Sequence, residues 1–247
     1  SYREKNNLTR NDFLQMLIDI KNNKEAHASG RKGDGKTLTM DELAAQCFVF
    51  FFAGFETSST TLTFALYELA THQDIQDKVR EEIEKVLARH EGQLTYDSLA
   101  ELKYMKQVID ETLRKYSPGT IITRICAEDY EVPGGVIEKG TTVIVSVHGI
   151  HHDEEYYENP SVFDPERFTE ENKAARHPYA HLPFGEGPRI CIGERFGLME
   201  VKIGLTTILR KFRLTLNKKT KEPLEFSKVA VTPTVEGGMW LNIENLR

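Results

Sequence analysis

A ten-residue segment, Phe184 to Gly193, constrains this chain more than any other part of its sequence. It reads FGEGPRICIG, so Cys191 is predicted to follow a loop rich in glycine and proline and to open a helix. Backbone N–H groups at a helix start favour a thiolate over a thiol, and Arg189 adds a cation two residues away. Gly187 and Gly193 allow the backbone to approach a flat, bulky group. The segment therefore predicts a loop that presents a sulfur anion.

Two other interpretations of this segment exist. A cysteine at a helix start can be an ordinary buried thiol, which is common when such a residue is seen alone. The glycines also resemble part of a dinucleotide-binding loop, but Ile190 stands where a third glycine is needed and no strand precedes the segment. The sequence therefore excludes the dinucleotide interpretation and leaves the first one open.

Length and charge limit the classes of protein to which this chain can belong. A chain of 247 residues is long enough to bury a core, and 32 basic against 38 acidic residues argue against binding to nucleic acid. No run of 18 apolar residues is present to span a membrane, and no signal-peptide pattern is found. The chain begins at Ser1, so we expect either a processed protein or a piece of a longer one.

Hydrophobic periodicity predicts a mostly helical α+β fold. The stretch from Cys47 to Phe52 is apolar on every side, which is typical of a helix in a core. Strands are expected over Val143–Val147 and around Pro233 and Gly237–Gly238, and a polar loop over 22–36. The predicted helices cover 11–20, 38–72 (opened by a capping box at Thr39–Glu42), 74–90, 102–116 and 192–211. The helix over 74–90 is amphipathic, with Ile75, Val79, Ile83 and Val86 on one face.

The pattern F-x-x-G-x-R-x-C-x-G in residues 184–193 resembles the haem-thiolate loop of the cytochrome P450 superfamily. The resemblance implies that residues 1–247 are a partial cytochrome P450 domain, the C-terminal half that binds haem b. It implies that Cys191 ligates the iron and that Arg124 and Arg189 bind the haem propionates. The remaining implied cofactor contacts are Phe184, Gly187 and Gly193.

Two segments resemble the scaffold motifs of the same family. Glu111-Thr-Leu-Arg114, in the helix over 102–116, is similar to its E-x-x-R motif, and Phe163 to Phe168 is similar to its P-E-R-F segment. Periodicity alone favours a surface ion pair, since Glu111 and Arg114 lie off the apolar face of the helix. The resemblance implies instead that Arg167 contacts both residues and that the three brace the cysteine loop.

Ala53 to Thr57 resembles the oxygen-activating segment in the long central helix of the family, here predicted over 38–72. Gly54 in a helix interior suggests a kink or a close approach. Glu56 and Thr57 would supply an acid and an alcohol that relay protons. On resemblance alone, the substrate is lined by Phe52, Ala53, Thr61, Thr120, Ile121, Ile122, Val231, Thr232, Pro233 and Thr234.

Other candidates keep alternative interpretations. His148, His151, His152 and Asp153 could form a metal cluster, but no second cluster completes four ligands. We expect Cys47 and Cys126 to be packed thiols, and the odd count of three cysteines favours a reducing compartment. The positive charges of the last helix either face an acidic redox partner or are solvated: Lys202, Arg210 and Lys211.

The resemblance implies a monooxygenase that inserts one atom of dioxygen into an apolar small molecule, xenobiotic or endogenous. Electrons would come from NADPH through a flavoprotein reductase. The motifs look most like microsomal insect detoxification members, held on the cytoplasmic face of the endoplasmic reticulum membrane by an anchor outside this chain. Lys115 to Gly119 departs from the family's more proline-rich stretch. The alternative is a truncated, inactive haem-binding fragment; an isomerase or dehydratase is disfavoured by Glu56 and Thr57.

Overall fold

The computed structural model describes residues 2–22 and 38–246, and the predicted loop over 22–36 lies outside them apart from Asn22. Two compact units, 1–55 and 56–247, are described separately. The helices are α1 Tyr2–Lys5, α2 Phe13–Lys21, α3 Met40–Thr71, α4 Gln73–Arg89, α5 Tyr96–Glu101, α6 Lys103–Lys115, α7 Val147–His151, α8 Glu170–Ala175 and α9 Glu194–Leu209.

Small antiparallel sheets complete the fold. Strands β1 (Ile121–Ile125) and β4 (Thr142–Ser146) form one pair, with Ile121 opposite Ser146. The other pairs are β2 (Tyr130–Val132) with β3 (Gly135–Ile137), and β5 (Phe212–Leu216) with β6 (Leu241–Asn245). Because helices dominate and the sheets are short, the prediction of a mostly helical α+β fold is confirmed.

The first unit contains α1, α2 and the start of α3. The predicted capping box is present, since the Glu42 N–H donates to Thr39 Oγ1 (3.2 Å) and the Thr39 N–H donates to Glu42 Oε2 (2.8 Å). Leu17 and Ile18 of α2 pack against Leu43 of α3, and Cys47 lies partly buried beside them. The small core of this unit therefore depends on one face of each helix.

The apolar stretch of α3 is exposed, and the prediction that it lies in a core is wrong. The five residues from Phe48 to Phe52 are 40% to 72% exposed. A helix that is apolar on every side needs neighbours on every side, and within the described part of the first unit the Phe50 ring lies 4.2 Å from that of Phe13, between ring centroids. Although α3 has 32 residues, no described helix is both long and apolar enough to cross a membrane.

The core of the second unit lies among α4, α6, α9, the last turns of α3 and strand β5. The apolar face predicted for α4 is buried there, from Ile75 through Val79 and Ile83 to Val86. Helix α9 contributes Leu205, which is fully buried. Spacings of three and four residues align these side chains on one face of each helix, so the sequence pattern was sufficient to predict this layer.

Strand β4 ends one residue before the predicted limit. Val147 begins α7 instead, because the Ser146 hydroxyl accepts a hydrogen bond from the Gly149 N–H at 3.0 Å and caps the helix. A Cβ at Gly149 would lie 2.9 Å from the same hydroxyl oxygen, so this tight turn requires glycine. The turn determines where His151, two residues after Gly149, lies.

We expect Leu205→Ala to lower the free energy of unfolding by about 2–5 kcal/mol, because it leaves a cavity in the core of the second unit. Ile203→Ala is the matched control, since Ile203 is 38% exposed on the same helix and its truncation removes little buried surface. Urea unfolding followed by circular dichroism measures both variants. Equal losses would contradict this assignment of the core.

Candidate functional site

Cys191 lies at the end of a compact loop rather than in a helix. Helix α9 begins at Glu194, so the prediction that Cys191 opens the helix is wrong by three residues. The Cys191 N–H donates to the Phe184 carbonyl at 2.9 Å, and the Ile190 N–H donates to the Gly187 carbonyl at 3.0 Å. These bonds occupy the backbone donors and close the loop, and Cys191 remains exposed.

Glycines shape this loop in two different ways. Gly185 and Gly187 have φ angles of 76° and 77°, in the left-handed region that glycine adopts without strain. A Cβ at Gly193 would lie 3.9 Å from Cys191 Sγ, so glycine leaves room beside the sulfur. The sequence pattern predicted a role for Gly187 and Gly193 but did not single out Gly185.

The surface next to the sulfur is apolar and open. Ile190, Ile192 and Phe196 are 43%, 86% and 60% exposed, whereas Phe184 packs against the core of the second unit. Exposed apolar side chains around an exposed thiol suit a flat apolar group that a sulfur anion ligates. The residues present therefore fit haem at this position.

Two arginines lie near this surface without a carboxylate partner. Arg189 forms the end of the turn Gly187–Arg189, and Arg124 lies in β1, where it donates to the Thr123 carbonyl at 3.0 Å. A Cβ at Gly185 would lie 3.8 Å from Ile122, so β1 runs beside the cysteine loop. Neither guanidinium forms an ion pair with the described residues, and both can therefore bind the carboxylates of a ligand.

Glu111 and Arg114 form a fully buried ion pair, so the interpretation of a surface pair is wrong. Both side chains are 0% exposed, and Arg114 Nε and Nη2 donate to the Glu111 carboxylate at 2.6 and 2.8 Å. Periodicity missed this because the segment around Pro165 covers the polar side of α6. Arg167 Nε lies 3.5 Å from Glu111 Oε1, and the Asp164 N–H donates to the same oxygen at 2.9 Å.

Burial and hydrogen bonding act in opposite directions on Glu111. Burial raises the pKa of its carboxyl group, and the hydrogen bonds from Arg114 oppose that rise. Arg114 also donates to the carbonyls of His151 and Pro160, at 2.9 and 2.8 Å. The pair thus holds α6, α7 and the loop before Pro165 together.

His151 connects this ion pair to the cysteine loop. Its Nδ1 lies 3.2 Å from the Arg114 carbonyl, and its Nε2 accepts a hydrogen bond from the Leu182 N–H at 2.9 Å. Both ring nitrogens therefore contact backbone, which leaves neither for a metal ion. The ring centroids of His148 and His152 lie 4.1 Å apart, and the two rings are tilted relative to each other. Sequence reasoning considered His151 only as a metal ligand and missed this link.

The oxygen-activating segment lies in a helix that is continuous through Gly54. A Cβ at Gly54 would meet no atom within 4 Å, so the predicted close approach is not found in the described residues. Thr57 lines a small cavity of about 40 Å³ together with Phe184 and Leu198. The structure therefore places Thr57 close to Phe184 and Leu198, which precede and follow Cys191 by seven residues each in the sequence.

The predicted substrate-lining residues divide among several places. Thr61 lines the small cavity beside Thr57, and Ile122 is half-buried beside Gly185. Thr234 lines a separate cavity of about 210 Å³. Phe52 and Ala53 are exposed in the first unit. A larger cavity of about 740 Å³ brings together the other five, Thr120, Ile121, Val231, Thr232 and Pro233.

Buried polar groups outside the predicted site were missed. Glu68 of α3 is 1% exposed and accepts hydrogen bonds from Lys115 Nζ (2.8 Å) and the Tyr116 hydroxyl (2.5 Å). A single acid in the apolar run from Phe64 to Ala70 was the available signal. Cys126 is partly buried and donates to the Glu128 carbonyl at 2.9 Å.

The three cations predicted for the last helix do not form one solvated face. Arg210 and Lys211 are exposed, whereas Lys202 donates to the Leu99 carbonyl at 2.7 Å and burial lowers the pKa of its ammonium group. Lys202 lines a cleft of about 430 Å³. The other basic residues of this cationic cleft are Lys103, Lys106, Lys173 and Arg195.

Comparison with known proteins agrees with this geometry. A sequence model described as Cytochrome P450 matches residues 1–239, and the chain belongs to the cytochrome P450 family. It is 46% identical to cytochrome P450 6a9 of Drosophila melanogaster and 46% identical to cytochrome P450 6A1 of Musca domestica, over 100% of this chain in each case. These matches confirm the resemblance to insect members.

The chain spans about half the length of the curated relatives it matches. The alignments cover 49% of the Drosophila 6a9 protein and 48% of the Musca protein. Cytochrome P450 6a2 of Drosophila melanogaster is 47% identical to this chain. That alignment includes 99% of this chain and 49% of the 6a2 protein.

Stability should fall in acid because His151 is buried in the neutral form. Burial lowers the pKa of His151 to about 3, while the unfolded chain binds the proton below about 6.5. The contribution of His151 to stability is therefore fully present above pH 6.5 and is lost as the pH falls toward 3. At pH 5 the free energy of unfolding should have fallen by about 2 kcal/mol because of this residue. Urea unfolding from pH 7.5 to 5 measures the loss. The His151→Gln variant should lose less of its free energy of unfolding over this range. If the variant and the wild type showed the same pH dependence, the assignment to His151 would be contradicted.

Proposed function

We propose that this chain is the haem-binding half of a haem-thiolate monooxygenase. The observation that carries the proposal is the exposed Cys191 at the end of a glycine loop with an apolar surface beside it. Haem b, when bound, would supply the redox and oxygen chemistry, with electrons from NADPH through a flavoprotein reductase. Cys191 would ligate the iron, and the loop backbone at Gly187 and Gly193 would lie close to the ring.

The remaining contacts follow from charge and shape. Arg124 and Arg189, which lack carboxylate partners in the described chain, would bind the two propionates. Phe184 would pack against the ring from the core side. Glu111, Arg114 and Arg167 would brace the loop without touching the cofactor, and His151 would carry that support from Arg114 to Leu182.

Glu56 and Thr57 would hold and deliver protons. Thr57 lies at a cavity that also contacts Phe184, which supports a place close to the cysteine loop. An alcohol and a carboxylate at adjacent helix positions can pass a proton inward from solvent. Gly54, one turn earlier in the same helix, has no side chain and would therefore leave space next to the helix backbone at that point.

An apolar small molecule, xenobiotic or endogenous, would bind in the cavity of about 740 Å³ bordered by Ile121 and Val231. The reductase would bind on the side of the cationic cleft, where Lys103 and Lys202 offer positive charge to an acidic partner. The whole protein would lie on the cytoplasmic face of the endoplasmic reticulum, held by a membrane anchor outside this chain.

The second candidate is an inactive fragment that needs further chain to work. The exposed apolar residues from Phe48 to Phe52 favour it, since such a surface is normally covered. The relatives are about twice as long as this chain, and a comparable additional segment would supply that cover.

The carbon monoxide difference spectrum of the reduced, haem-loaded protein tests the proposal. We expect a strongly red-shifted Soret band, in this chain or in a version extended to the length of its relatives. Cys191→Ser should abolish that band, and Cys126→Ser, which alters another thiol, should retain it. A band found only in the extended version supports the fragment, and a thiolate-type band that survives Cys191→Ser removes Cys191 as the ligand.

Thr57→Ala should uncouple the consumption of NADPH from product formation. We expect the product-to-NADPH ratio to fall by about tenfold or more, because the hydroxyl that delivers the proton is lost, and peroxide to be released instead. Thr57→Ser keeps the hydroxyl and should stay close to wild type. Unchanged coupling in an active, extended Thr57→Ala protein would rule out the proton-relay assignment.

A further inference from the structure

Glu56 is held by a residue far away in sequence. The Thr232 hydroxyl donates to Glu56 Oε1 at 2.7 Å, and Thr232 is only 7% exposed. A hydrogen bond from a buried hydroxyl to a carboxylate is stronger than one between neutral groups and fixes the orientation of the acceptor. The carboxylate therefore has a defined direction at the surface of α3.

The segment that carries Thr232 is attached to α3 at a second place. Phe226 pairs with Val235 across a turn, and the Phe226 ring lies 6.0 Å from the ring of Phe64. Glu56 and Phe64 are eight residues apart, which is about 12 Å along a helix. Two attachments at this separation determine how the segment lies along the helix, so the contact at Glu56 is not that of a freely moving loop.

The neighbouring hydroxyl in the same segment has a different role. Thr234 Oγ1 donates to the Thr232 carbonyl at 3.0 Å, and the Thr234 carbonyl accepts from the Ser227 N–H at 2.8 Å. These bonds stabilise the turn and do not reach Glu56. Thr234 therefore separates the effect of holding Glu56 from the effect of keeping the turn intact.

We propose that Thr232 is a positioning residue for proton delivery, which it serves by orienting the Glu56 carboxylate. The sequence predicted Thr232 only as a substrate-lining residue, and it does border the cavity of about 740 Å³. Its hydroxyl points the acid in one direction and leaves the second carboxylate oxygen for the proton. The inference rests on the proposed monooxygenase function, since the role of Glu56 belongs to it.

The coupling test uses the haem-loaded protein in its active length with its reductase. Thr232→Val keeps the side-chain shape but removes the hydroxyl, and we expect the product-to-NADPH ratio to fall by about tenfold, part of what a positioned proton donor contributes. Thr232→Ser and Thr234→Val should both stay close to wild type. Adding Thr232→Val to Glu56→Gln should lower the ratio no further, because the two residues act through one carboxylate.

A second readout needs no turnover. The infrared difference between wild type and Glu56→Gln identifies the carboxylate stretching band of Glu56, and Thr232→Val should shift that band by removing its hydrogen bond. Thr232→Ser and Thr234→Val should leave it in place. Thr232→Ala serves as a second hydroxyl-free variant for the same comparison and should give the same shift as Thr232→Val.

The outcomes separate the two proposals. A normal carbon monoxide spectrum with unchanged coupling and an unshifted band in Thr232→Val overturns the role of Thr232 and leaves the proposed function standing. Equal effects of Thr234→Val and Thr232→Val also overturn it, since turn packing would then be the cause. If no thiolate-ligated haem forms in any version, the proposed function fails, and the infrared band still decides whether Thr232 holds Glu56.

Discussion

The fully buried pair of Glu111 and Arg114 is the interaction on which the rest of the second unit depends. Two opposite charges without solvent are stable only when every remaining donor and acceptor is satisfied, because burial removes their hydration. Arg114 therefore donates to the carbonyls of His151 and Pro160, and Glu111 also accepts from the Asp164 N–H. These requirements determine how α6, α7 and the segment before Pro165 lie against one another.

The position of the cysteine loop follows from the same pair. Arg114 donates to the His151 carbonyl and so holds His151 in position. The His151 ring in turn accepts a hydrogen bond from the N–H of Leu182, which lies two residues before Phe184. The Phe184 carbonyl in turn accepts from the Cys191 N–H. The inner side of the loop is thus held by backbone hydrogen bonds, while its outer side presents a sulfur and apolar side chains. That asymmetry is what a ligated, flat, apolar cofactor requires.

The part of helix α3 from Glu56 onward makes polar contacts with several other segments. Ser58 donates to Glu200 of α9 at 2.9 Å, Glu56 accepts from Thr232, and the buried Glu68 accepts from Lys115 and Tyr116 at the end of α6. Hydroxyl and carboxylate groups at intervals along one helix connect it to separate parts of the second unit. Side-chain hydrogen bonds therefore fix the positions of these polar groups without a large apolar contact at each one.

The sequence by itself determined the features that depend on neighbouring residues: the capping box at Thr39, the buried face of α4, and the glycine loop before Cys191. Only the tertiary structure decided the burial of Glu111, the link through His151, the contact between Thr232 and Glu56, and the exposure of the stretch around Phe50. The first three of these depend on partners 31 to 176 residues away in sequence. Local periodicity reports which side of a helix is apolar, whereas burial of a polar side chain depends on what folds over it.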